Sequence, residues 1–323
     1  MHILVTGGTG FVGSHLIREL LAEKKHRVHA LVRDSGKLKT FEFHDDISVV
    51  HGDLFASEPL PPATEVVFHL AAVTKAVSPR EFIRVNQEGT RSLLERLRPL
   101  PALRKVLLLS SLAAAGPNRQ VTRLREEMPA DPISLYGKSK LAQEKILAAH
   151  CAAPHVVVRA PVVFGPGDMD MLEALRIVRR GILPVLGRKE HWYSVVYVKD
   201  LVRGMAAAAF SPCQDEIFYI ANPEPIEWRT FMGLAARLLG KEKTKRIMIP
   251  RILGRVLAEF SETRIRTFGK KAIFNRDKFI EMKYPAWVCS SEKIAARLHF
   301  QPRFTLEAAL EETIGWYCQQ GLL

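Results

Sequence analysis

Tyr136 and Lys140 stand four residues apart in Tyr136-Gly137-Lys138-Ser139-Lys140, a spacing that sets both side chains on one face of a helix. A free phenol ionises near pH ~10, too high for efficient proton exchange at neutral pH, and an adjacent ammonium favours the phenolate. The pair reads as a proton-transfer couple in which tyrosine is acid and base and lysine lowers its pKa. Ser110 and Ser111 follow the apolar run Val106-Leu107-Leu108-Leu109, so they end a buried strand, where ligands of open α/β sheets bind. A serine hydroxyl there can hold a substrate oxygen while Tyr136 moves the proton. The third constellation is Gly7-Gly8-Thr9-Gly10-Phe11-Val12-Gly13, which turns an apolar strand (2–6) into an amphipathic helix (11–24). Glycines at 7, 10 and 13 permit a tight turn and let a pyrophosphate approach bare backbone, and the helix N-terminus offers unpaired N–H groups to it. Together the three point to hydride chemistry on a nicotinamide dinucleotide.

The elements that must position these residues alternate. Strands are expected at 27–32, 47–51, 65–70, 104–110 and 155–158, with helices at 79–98 and 134–151 between them. That pattern is an α/β fold, a Rossmann-type doubly wound parallel sheet. From Pro161 it loosens: Gly165-Pro166-Gly167, a helix near 169–180, a short strand at 194–198 leading into a helix to Phe210, and helices near 227–239, 290–298 and 305–320. The expected division is a cofactor-binding domain over 1–165, rejoined by 194–222, and a smaller substrate-binding lobe from 166–193 and 223–323.

With these motifs in order, the sequence resembles the extended branch of the short-chain dehydrogenase/reductase superfamily. That branch holds nucleotide-sugar epimerases and dehydratases, dihydroflavonol-reductase-like enzymes and 3β-hydroxysteroid-dehydrogenase-like enzymes. Thr6 to Gly13 looks like its nucleotide signature, which implies cofactor contacts from Gly7, Thr9, Gly10, Phe11, Val12 and Gly13. Gly52-Asp53-Leu54 looks like its adenine-contacting motif, and His69-Leu70-Ala71-Ala72 like the strand end that lines the cofactor. The resemblance places Asn86 and Ser110 near the cofactor and makes Ser111, five residues before Gly116, the catalytic serine with Tyr136 and Lys140. Arg159-Ala160-Pro161-Val162-Val163-Phe164-Gly165 and Val196 to Asp200 match later landmarks, with Pro161 and Val163 at the cofactor and Thr74 toward the substrate. A homodimer through the helices at 79–98 and 134–151 is implied as well.

Two departures bear on specificity. About 20 residues past the glycine turn an acidic side chain would hold the ribose of NAD, whereas an arginine accommodates the phosphate of NADP. This chain has Arg33, followed by Asp34 with Lys37 nearby, so NADP is expected and NAD is the alternative. Where nucleotide-sugar enzymes of the branch present an arginine to the diphosphate, Trp192-Tyr193 stands here. That pair suits an apolar or aromatic substrate, or else only packs the lobe. The expected function is interconversion of a secondary alcohol and a ketone by hydride transfer on a small, apolar or aromatic substrate; the alternative is a nucleotide-sugar epimerase or dehydratase with tightly held NAD. A cofactor sensor without turnover would not need Ser111, Tyr136 and Lys140.

Composition bounds the rest. At 323 residues and 47% hydrophobic content the chain can bury a large core, and no run reaches the ~18 apolar residues of a membrane span. A cytoplasmic enzyme is expected, since strand residues begin at His2 and leave no room for a signal peptide. Cys151, Cys213, Cys289 and Cys318 have no metal or redox spacing. The net charge of +13 is concentrated: residues 241–283 hold 13 Lys and Arg against 5 Asp and Glu, a net of +8. No nucleic-acid module accompanies it. The segment is read as a solvated basic face or as a peripheral membrane contact, with 247–260 expected to be an amphipathic helix that alternatively serves as a lid.

Overall fold

The computed structural model describes residues 1–34, 36, 46–76, 78–118, 122–186, 190–241, 243–249 and 276–323. Its first half runs β1 (His2–Thr6), α1 (Phe11–Ala22), β2 (Arg27–Val32), β3 (Ser48–His51), β4 (Val66–His69), α2 (Pro79–Phe82), a π-helical turn (Ile83–Glu88), α3 (Gly89–Leu97), β5 (Lys105–Ser111), α4 (Leu112–Ala115), α5 (Leu135–His150) and β6 (His155–Ala160). There follow β7 (Val162–Phe164), α6 (Met169–Arg179), β8 (Ile182–Leu186), β9 (Trp192–Tyr193), β10 (Val195–Tyr197), α7 (Val198–Phe210), β11 (Glu216–Tyr219), β12 (Ile226–Glu227), α8 (Trp228–Leu238), β13 (Lys245–Ile249), α9 (Arg276–Met282), β14 (Ala286–Trp287), α10 (Glu292–Leu298) and α11 (Leu306–Gln319).

Seven of the strands form one parallel sheet in the order β11-β6-β5-β4-β1-β2-β3. Alternation along β1 explains the two covered faces. Ile3 and Val5 pack with Leu16 and Ile17 of α1 and Leu201 of α7. Leu4 faces the other way, with Leu93 and Leu94 of α3 and Leu147 of α5. The chain builds outward from β1 through β2 to β3, then returns to place β4 on the opposite flank of β1. The loops leaving β1 and β4 therefore part at a topological switch point, where such sheets bind ligands. A second core joins α6, α8 and α11 through Leu172, Leu175, Phe231, Met232, Leu310 and Ile314.

Most element ends differ from the sequence reading by one or two residues. The helix expected over 79–98 is interrupted by a π-turn, a feature that collects at functional sites, and Asn86 within it is completely buried. Residues 247–249 correct the amphipathic-helix expectation: they lie in β13, whose parallel ladder with β8 pairs Ile247 with Pro184. The rest of that segment, 250–260, lies outside the described residues, as does Lys37. Among the described residues no helix is long and apolar enough to cross a membrane, and no cluster of His, Cys, Asp and Glu could hold a metal ion.

Candidate active site

At the switch point the glycine turn requires its glycines. Gly7 adopts φ +75°, and a Cβ on it would lie 2.7 Å from the backbone nitrogen of Ala71. A Cβ on Gly13 would lie 2.2 Å from the Gly7 carbonyl oxygen, so the first turn of α1 packs directly on the loop. Gly10 caps α1 without any side-chain hydrogen bond, which leaves the first N–H groups of the helix to an anion. Thr6 knits the two loops together: its carbonyl accepts from the Leu70 N–H at 3.1 Å and its hydroxyl from the Ala71 N–H at 3.2 Å. A dinucleotide pyrophosphate fits this cradle. Phe11 and Val12, half-buried at the start of α1, and Val163 of β7 pack where the two cores meet.

Beyond β5 the residues expected to transfer the proton come together. Ser111 ends the strand and caps α4, its hydroxyl accepting from the Ala113 N–H at 3.2 Å and bonding the Tyr136 phenol. Lys140 is buried one helical turn after Tyr136; its Nζ donates to the Leu109 carbonyl at 2.7 Å and to Gln143 Oε1. The sequence reading has Lys140 lowering the phenol pKa. The structure corrects that: burial dominates and pushes Tyr136 up to about 12, with the Ser111 hydrogen bond opposing and the Glu281 charge assisting. Burial also brings the Lys140 amine down to about 7, against the pull of Glu144.

A polar network lies beneath this pair. Gln143 Nε2 donates to Thr90 Oγ1 at 2.8 Å and approaches His69 Nε2 at 3.1 Å, and His69 Nδ1 lies 2.8 Å from Thr6 Oγ1. Burial first, and the charge of Lys140 second, hold His69 down to about 3 and hence neutral. Neutral His69 thus links Gln143 and Thr90 at its Nε2 to Thr6 at its Nδ1, which ties Lys140 to the strand that begins the glycine turn.

The other expected residues fall into three groups. Arg33 is exposed just past β2, and the neighbouring Asp34 Oδ1 accepts from the Gly36 N–H at 3.0 Å. Asp53 accepts from the Phe55 N–H at 2.8 Å, and Leu54 is buried beneath Gly89. Leu70, Ala71, Ala72 and Pro161 are partly exposed, and Thr74 is exposed. Ser110 and Asn86 are engaged by protein. Ser110 donates to Glu144, itself paired with Arg159 at 2.7 Å, and Asn86 brackets Val73 through both backbone groups while donating to Ser139 at 2.9 Å. Their side chains shape the floor of the site through those partners. The Trp192-Tyr193 pair is split because successive strand residues face opposite ways. Tyr193 joins Tyr136 around Leu112, Ala113 and Trp287, whereas Trp192 is 41% exposed beside Glu190.

Sequence reasoning missed Gln143, Trp228, Asp277, Glu281 and Trp287. Gln143 carried a signal, since three residues past Lys140 is the same helix face. The Trp228 ring meets Tyr193 at 5.6 Å. Asp277 and Glu281 touch the start of α5 from a helix far along the chain, a juxtaposition that no local pattern encodes.

Known proteins match this arrangement. The profile of the NAD dependent epimerase/dehydratase family covers residues 3–221. A ceramide reductase of Caulobacter vibrioides is 30% identical over 330 residues, spanning 99% of this chain and 96% of that protein. The human sterol-4-alpha-carboxylate 3-dehydrogenase, decarboxylating, is 28% identical over 258 residues, 75% of this chain and 67% of its own length. Among solved structures, UDP-glucose 4-epimerase from Thermotoga maritima, with UDP-glucose, superimposes with a TM-score of 0.78 at 24% identity, covering 99% of each chain. From the glycine cradle at the switch point to the tyrosine and lysine one turn apart on α5, the chain belongs to the NAD dependent epimerase/dehydratase family and is an enzyme of the extended short-chain dehydrogenase/reductase type.

Proposed function

We propose that this protein is an NADP-dependent oxidoreductase that interconverts a secondary alcohol and a ketone on a largely apolar substrate. The observation that carries the reading is the apolar cluster that Tyr136 joins, with Leu112, Ala113, Ala115, Leu124, Ile133, Tyr193 and Trp287. A diphosphate would meet no arginine at position 193, and the ceramide- and sterol-directed names of two relatives agree in substrate class.

Gly7 to Gly13, Asp53, Leu54, Leu70 to Ala72, Pro161 and Val163 would hold a dinucleotide, with Arg33 on its ribose phosphate, and that cofactor would supply the hydride. Ser111 orients the substrate oxygen, and Tyr136 gives that oxygen a proton in reduction and removes it in oxidation. Two of the three Lys140 N–H donors serve Leu109 and Gln143, so the third is left for a ribose hydroxyl. A cytoplasmic homodimer paired through α2–α3 and α5 completes the proposal.

A substrate panel tests it: a 3-oxo-ceramide and a 3-ketosteroid in micelles, and UDP-glucose in buffer, each with NADPH and with NADH. Oxidation of NADPH by a micellar ketone is the expected result. Turnover of UDP-glucose alone, on NAD retained through purification, would assign the epimerase reaction instead.

A further inference from the structure

Helix α9 approaches Tyr136 from 141 residues away in sequence, and its acidic side chains hold the start of α5. Asp277 accepts two backbone N–H bonds, from Leu135 at 2.7 Å and from Tyr136 at 2.9 Å, one on each carboxylate oxygen. Glu281 Oε1 accepts from the Ser134 hydroxyl at 2.8 Å, and that hydroxyl accepts from the Gly137 N–H at 3.0 Å as the N-cap of the helix. The Glu281 carbonyl receives the indole N–H of Trp287 at 3.0 Å, in the apolar cluster that surrounds Tyr136.

The first N–H groups of an α-helix have no intrahelical partner and carry its partial positive charge. Here three of them, on Leu135, Tyr136 and Gly137, are satisfied by α9 or by a hydroxyl that α9 holds. Tyr136 is the second residue of the helix, so its backbone is fixed by a carboxylate from the C-terminal part of the chain rather than by its own helix alone. We propose that α9 is an acidic latch on α5, with Asp277 and Glu281 acting as positioning residues that set Tyr136 for proton transfer. The latch rests on the reading of Tyr136 as acid and base. It makes the proton donor competent only when α9 is docked, and α9 also anchors Trp287, part of the apolar wall.

The charged and titratable groups around the phenol give the latch a signature that simple stabilisation lacks. Glu281 acts on it from α9, with Lys278 3.4 Å from Glu281, while Asp277 binds the Tyr136 backbone. Lys140 lies on the next turn of α5, and Tyr193 comes from β9. Glu281 opposes ionisation of both Tyr136 and Tyr193. Glu281→Gln keeps an acceptor for Ser134 and removes the charge, so Tyr136 ionises at lower pH. Ketone reduction needs the protonated phenol, so the alkaline limb of kcat/KM moves to lower pH.

The experiment uses NADPH and a micellar 3-oxo-ceramide with the full chain. Asp277→Asn leaves one oxygen for two N–H groups; kcat is expected to fall by about tenfold or more, geometry of this kind being sensitive to ~1 Å, while NADPH affinity stays within about twofold. Hydrogen exchange at the amides of 135–137 rises in the same variant. A kcat within about twofold of the parent in Asp277→Asn, or an unmoved alkaline limb in Glu281→Gln, would overturn the latch. Tyr136→Phe, run alongside, separates the two readings: full activity there contradicts proton transfer by Tyr136, whereas its loss with a normal Asp277→Asn contradicts the latch alone.

Discussion

The proposed NADP preference rests on Arg33, which stands beside Asp34 at the end of β2. One oxygen of Asp34 accepts the Gly36 N–H, which turns the carboxylate into its own loop, while Arg33 extends from the carboxyl end of β2 into solvent. A charge-assisted hydrogen bond contributes ~1.5–3 kcal/mol, so Arg33→Ala should weaken NADPH binding by about tenfold or more and leave NADH unchanged. Calorimetric titration checks this; equal losses for both cofactors would remove Arg33 from phosphate recognition. At this scale the sequence was most informative where chemistry is local. The four-residue spacing of Tyr136 and Lys140 defines a helix face in any context, and Ser111 follows from the end of an apolar run. The pKa values of the pair were not legible, because they are governed by burial that only the assembled core creates.

Elements position these groups through buried ionic and hydrogen-bonded ties. Ser110 on β5, Glu144 on α5 and Arg159 on β6 form one such tie, with Arg159 also donating to the Tyr219 hydroxyl of β11 at 3.2 Å. Arg159→Met keeps much of the volume but leaves the Glu144 carboxylate buried without its cation, a change that costs about 3–5 kcal/mol. Chemical denaturation should show that loss at neutral pH, and a variant within about 1 kcal/mol of the parent would mean that Glu144 finds another partner. Strand and helix types in the first half were legible from periodicity, since the central strands β1, β4, β5 and β6 are apolar on both faces and the long helix α1 on one. Two features escaped. The π-turn at 83–88 carries no distinctive residue pattern, and it is fixed instead by the bonds Asn86 makes to Val73 and Ser139. Residues 247–249 of β13 read as the start of a helix from sequence, and pairing with β8 decides them as strand.

At the scale of the whole molecule, sheet order and the switch point follow from the alternation of elements, whereas the docking of α9 on α5 depends on contacts between residues far apart in sequence. The basic C-terminal region belongs to this scale. β13 leaves Lys245 and Arg246 exposed beside Ile247 and Met248, which are 41% and 51% exposed, a combination suited to an anionic membrane surface. Each basic residue near such a surface adds ~1 kcal/mol. Cosedimentation with phosphatidylserine vesicles at low salt is the expected outcome, weakened by Lys245→Glu with Arg246→Glu and absent with neutral vesicles; failure to bind anionic vesicles would leave a solvated basic face. The most direct test of net ketone reduction at Ser111, Tyr136 and Lys140 is isotopic. NADPH deuterated at the transferred position is supplied with a micellar 3-oxo-ceramide, and the product is analysed by mass spectrometry. Deuterium at the new carbinol carbon is predicted for the parent, with turnover reduced by about two to four orders of magnitude in Tyr136→Phe. A product free of deuterium, or undiminished transfer in Tyr136→Phe, would contradict it.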